Sequence, residues 1–94
     1  MSELLDEDEL MSQLRKCPEW EEDGDSIVRS FEFEEFMEAI DFVNDVAELA
    51  EDSQHHPEFQ ISFNKVVVSL TTDDEGGVTA LDIEMAQRID NLVD

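Results

Sequence analysis

Apolar residues recur along this chain at two alternating periods, and the switches between them mark successive helices and strands. Asp6, followed three residues later by Glu9, is a weak capping-box signal, and Leu10, Met11 and Leu14 then fall on one helical face. This first helix is expected to end before Pro18. From Trp20 to Phe33 two extended runs flank Asp23-Gly24, with Ile27, Phe31 and Phe33 on one strand face and Arg29 as the charged exception. That pattern predicts a β-hairpin. Phe36, Ile40, Val43, Ala47 and Ala50 follow steps of four and three, and acidic residues such as Glu38, Asp41, Asp45 and Glu48 fill the gaps, predicting a long amphipathic helix. Phe42, Val46 and Leu49 widen its apolar arc beyond what one sheet face needs, which suggests a subunit contact.

Phe59, Ile61 and Phe63 alternate, Asn64-Lys65 can turn the chain, and Val66, Val68 and Leu70 alternate again. Gly76-Gly77 breaks the pattern. Thr79 then offers an N-cap, with Asp82 at the capping-box position, for a helix carrying Met85, Ala86, Ile89, Leu92 and Val93. The order is αββαββα. It predicts an α+β fold in which a four-stranded antiparallel sheet carries its helices on one face, with residues 1–94 as a single domain. A domain this small buries only about 60–65% of its unfolded surface, so oligomerisation is a natural supplement, most simply a homodimer or homotetramer.

Charge changes the picture of the surface. Twenty-seven acidic residues against five basic ones give a net charge of -22, yet 40% of the chain is hydrophobic and periodic, which a disordered acidic tail would not be. Such a surface repels phosphate backbones and anionic lipid, so neither direct nucleic-acid binding nor membrane binding is expected. It fits a halophilic interior, where salt screens the carboxylates, although an ordinary acidic protein is the simpler alternative. Cys17 is the single cysteine, so no intramolecular disulfide can form. The acidic start has neither the basic nor the apolar region of a signal peptide, and no apolar run is long enough to span a bilayer, so a cytoplasmic location is expected.

The chemistry concentrates in Glu51-Asp52-Ser53-Gln54-His55-His56-Pro57-Glu58, where the long helix must end. Pro57 disfavours helical geometry at His56 and stiffens the loop. A helix C-terminus and nearby carboxylates favour imidazolium, which suits both histidines to donate protons. Composition alone is equally compatible with a polar helix exit. Two adjacent histidines without further Cys or His are a poor zinc site, and Asp73-Asp74-Glu75 lacks the EF-hand spacing, so no metal is expected.

An acidic residue, three spacers, His-His-Pro, five spacers, an aromatic, nine spacers, a histidine or tryptophan, and an aspartate eight or more residues later form the pattern of the pterin-4a-carbinolamine dehydratases. The chain resembles that family from about Trp20 to its C-terminal helix. Glu51, His55, His56, Pro57, Phe63 and Asp82 match in type and spacing, as do the Phe63-Asn64-Lys65-Val66 turn and the Gly-Val-Thr stretch before Asp82. Asp73 stands where the family usually carries a third histidine. The resemblance implies dehydration of a 4a-hydroxytetrahydropterin to the quinonoid dihydropterin, a hydro-lyase step in pterin recycling that takes the pterin as substrate and needs no separate cofactor. It implies His55, His56 and Asp73 as catalytic groups, with Glu51, His56, Pro57, Phe63 and Asp82 binding or orienting. It equally admits a non-catalytic pterin-binding or protein-interaction module, or one linked to molybdopterin metabolism. Asp73 and Asp82 also have plainer readings, as a solvated turn residue and a helix cap.

Overall fold

The computed structural model describes residues 3–93 and places three helices and four strands in the expected order. Helix α1 (Glu7–Leu14) is closed by a reciprocal capping box, in which Glu9 N–H donates to Asp6 Oδ1 at 2.8 Å and Asp6 N–H donates to Glu9 Oε1 at 3.0 Å. Strands β1 (Glu21–Asp23) and β2 (Ser26–Glu32) form the first hairpin around Gly24, whose φ of 61° suits a residue without a Cβ. Helix α2 (Phe36–Ser53) follows, then β3 (Glu58–Ser62), β4 (Lys65–Leu70) and helix α3 (Ala80–Val93). The sheet is antiparallel with order β1-β2-β4-β3, so the two hairpins meet at their second strands, in register from Ile27 opposite Leu70 to Glu32 opposite Lys65.

The core lies between one sheet face and the helices. Ile27, Phe31, Val66, Val68 and Leu70 point inward from the central strands to meet Phe42 and Val46 of α2 and Ile83, Ala86 and Ile89 of α3. Phe31 and Phe42 touch across the layer with ring centroids 4.6 Å apart. Arg29 is accommodated on this face because Asp90 of α3 receives its Nη1 at 2.5 Å and the Trp20 indole N–H at 2.8 Å, while its guanidinium also lies over the Phe31 ring.

Four details differ from the sequence expectation. Phe42 and Val46 are buried and Leu49 packs on the core, so the arc read as a subunit contact is internal. The buried stripe is Ala39, Phe42, Val46 and Ala50, about one residue around from the expected one, and Phe36 is left exposed. The arc was wide enough for two stripes, and the sheet takes the one that brings Phe42 to Phe31. Met11, Leu92 and Val93 are likewise exposed. Finally, the second hairpin turns at Phe63-Asn64, since Ser62 pairs with Lys65, and Phe63 adopts a φ of 53° at the tip.

Candidate functional site

Two carboxylates hold the adjacent histidines from opposite sides. Helix α2 ends when Gln54 enters the left-handed region at φ 53° and ψ 41°, with the N–H groups of both Gln54 and His55 donating to Ala50 O. This reversal turns His55 inward and His56 outward. His55 Nε2 lies 2.5 Å from Asp82 Oδ1, where Asp82 is fully buried at the start of α3. His56 Nε2 lies 2.6 Å from Glu51 Oε2, a pair that both members leave largely open to water. The two dyads share chemistry but not surroundings, the first shut away from water and the second open to it.

Asp82 is fixed at its other oxygen as well. Oδ2 accepts from the Thr79 N–H and from the Thr72 hydroxyl, both at 2.8 Å. Thr79 directly precedes α3 and its Oγ1 accepts the Leu81 N–H at 3.2 Å, the cap expected from sequence. The loop between β4 and α3 closes over this cluster through the bridge of Thr72 to Gly77 and a single 3₁₀ turn, Asp73–Glu75. A Cβ at Gly77 would stand 2.8 Å from a methyl of the half-exposed Leu4, which would have to swing aside to admit it.

An open groove of about 210 Å³ is lined by Gln54, His55, His56, Thr71, Thr72, Asp73 and Asp74. It brings together His55, His56 and Asp73, with Glu51 and Asp82 behind the two rings. Phe63 is elsewhere: it sits at the far end of β3, about 20 Å from Pro57 at strand rise, and stacks on Phe36 with centroids 6.5 Å apart. Pro57 leads from His56 into β3 and does not line the groove. Larger hollows exist, including one of about 520 Å³ beside Phe59 and Val67, but it holds no histidine. Thr72 was not singled out from the sequence. Its only signal there is its place at the end of a strand, seven residues before the Thr79 cap.

A buried carboxylate, a largely enclosed imidazole and a second imidazole beside an open groove are an arrangement able to exchange protons, on a small α+β scaffold. The comparisons agree on which scaffold. The family model for pterin 4 alpha carbinolamine dehydratase matches residues 3–92, and the chain belongs to that family. A relative bearing the family's name from Picosynechococcus sp. is 47% identical over 98% of this chain and all of its own length. Another, from Natronomonas pharaonis, is 46% identical over the full length of both chains. The crystal structure of a transcriptional coactivator/pterin dehydratase from Brucella melitensis superposes with a TM-score of 0.92 at 38% identity, covering 96% of this chain and 98% of that one. Among the described residues, no helix is long and apolar enough to cross a membrane.

Proposed function

We propose that the chain dehydrates a 4a-hydroxytetrahydropterin to the quinonoid dihydropterin, with His55 as the acid–base residue. The observation that carries the reading is His55 held by buried Asp82 at the wall of a groove that His56 and Asp73 also line. An imidazolium at His55 gives its proton to the 4a-hydroxyl, the C4a–O bond breaks, water leaves, and a base takes a proton from the pterin ring. Losing one such group typically costs 10²- to 10⁴-fold in rate. His56, on its exposed dyad with Glu51, holds the pterin more than it turns it over. Asp73 supplies the base where the family pattern has a histidine.

The groove is smaller than the roughly 300–1,000 Å³ usual for small-molecule sites, so a bound pterin would stay partly uncovered on a single chain. This supports a homodimer or homotetramer as the working form, and the exposed Phe36, Met37, Ile61 and Phe63 offer apolar surface for it. Light scattering in concentrated salt is expected to show the oligomer.

A dehydratase assay in molar salt tests the function. His55→Ala is expected to lose about 10²-fold or more over the spontaneous background while staying folded, and His56→Ala to raise KM more than it lowers kcat. Asp73→His is expected to raise kcat about 10-fold or more by restoring a second group able to give and take protons. Unchanged kinetics in His55→Ala would remove the assignment. A second reading, as a protein-interaction module, draws on the Brucella melitensis neighbour, a transcriptional coactivator/pterin dehydratase, and predicts a folded chain that binds pterin without turning it over.

A further inference from the structure

The hydrogen bonds around Asp82 can be followed donor by donor, and they lead to one nitrogen of His55. Thr72 Oγ1 lies 2.8 Å from both Asp82 Oδ2 and Thr79 Oγ1 but carries one hydrogen. An ionised carboxylate only accepts, so that hydrogen goes to Asp82. Thr79 must then donate to Thr72, and it is free to do so because its own oxygen accepts the Leu81 N–H. The chain runs one way, from the Leu81 amide through the two hydroxyls into Asp82 Oδ2. With the Thr79 N–H also on Oδ2, that oxygen is occupied by two donors, and Oδ1 is left to face His55 Nε2 at 2.5 Å. Only an N–H at Nε2 completes the contact.

We propose that Thr72 is a positioning residue that holds His55 as its Nε2–H tautomer, leaving Nδ1 as the atom that exchanges protons with the groove. Its hydroxyl aims the carboxylate, the carboxylate fixes the ring, and the ring presents a single nitrogen. In the catalytic cycle, which rests on the dehydratase reading, protonated Nδ1 gives its hydrogen to the departing hydroxyl. It is then reprotonated from solvent, and Nε2–H stays on Asp82 throughout. The other ionisable groups around the ring are His56, Asp73 and Asp74 in the groove and Glu84 and Arg88 of α3 on its far side. None of them is hydrogen-bonded to Nδ1.

Nitrogen-15 NMR of the free protein in molar potassium chloride, above the pH at which the imidazole loses its charge, tests this without any substrate. The wild type is expected to show a protonated, pyrrole-type Nε2 and a bare, pyridine-type Nδ1 at His55. Thr72→Val, which keeps the shape and removes the hydroxyl, is expected to mix the tautomers and lower kcat by about 10-fold or more at similar KM, with Thr72→Ser restoring both. A wild-type ring protonated at Nδ1 overturns the proposal, as does Thr72→Val with wild-type ring signals and kcat. Should Thr72→Val fail to fold, the wild-type spectrum still decides the tautomer. A wild-type chain that shows the Nε2–H signals, loses them in Thr72→Val and yet dehydrates nothing would support the positioning role and overturn the catalytic reading alone.

Discussion

Cys17 shows what burial does to a single ionisable group in this chain. It is fully enclosed in the core, and burial, helped by the negative charge of Asp90, pushes its thiol from 9.0 up to about 11. The folded chain therefore keeps a proton that the unfolded chain releases between pH 9.0 and about 11. Stability from this source is complete below 9.0 and is lost as pH rises through that window, by about 3 kcal/mol in all. Denaturant melts of wild type and Cys17→Ala at pH 8.5 and about 10.5 should show the wild type losing more over the interval, whatever the other groups do to both. The same enclosure makes the thiolate scarce, so alkylation at neutral pH is expected to be slow in the native state.

At the scale of elements, Asp90 ties three parts of the fold together, since Arg29 of β2 and the Trp20 indole ahead of β1 both reach one oxygen on α3. Asp90 lies two turns beyond Asp82 on the same helix, so the tie also helps to seat the carboxylate that holds His55. Asp90→Ala would leave a largely buried guanidinium and an indole N–H without this acceptor, and a loss of about 3 kcal/mol in chemical melts is expected. Much of the element-level picture was legible beforehand. The αββαββα order, the Asp6/Glu9 box and the Thr79/Asp82 cap follow from local spacing, which is where sequence patterns are strongest. The buried stripe of α2 was not, because Phe36–Ala50 offers two apolar stripes and only the position of the sheet chooses between them. At the site, it was the resemblance to the family pattern that grouped His55, His56, Asp73 and Asp82 with Glu51, Pro57 and Phe63, and the fold brings the first four together with Glu51 while Pro57 and Phe63 lie outside the groove. Thr72 stayed silent because a strand-end threonine resembles any other until its partner, ten residues on, is seen beside it.

For the whole molecule, the question is how so much like charge tolerates compaction. A local sign of the cost is Glu22, whose carboxyl is raised chiefly by repulsion from Glu7 of α1. With a net charge of -22, the same repulsion acts across the whole surface when the Debye length is about 30 Å, at 0.01 M salt, and over very little when it is about 3 Å, at 1 M. We therefore expect the melting temperature to rise from dilute buffer to molar potassium chloride, each 1 kcal/mol regained being worth about 4–8 °C for a chain of this size. An equal or lower value in concentrated salt would mean that the acidic surface is no adaptation to it. The strand order carries a consequence of a different kind, in time. Each hairpin closes over a turn of two residues and can form within about 1–10 μs, whereas β2 and β4 can meet only after the whole of α2 has been looped out between Glu32 and Lys65. Joining the two hairpins is therefore the slow event. The candidate site does not wait for that event, because the β3–β4 hairpin, paired as far as Glu58 and Ser69, already carries the chain that follows α2 alongside Thr72.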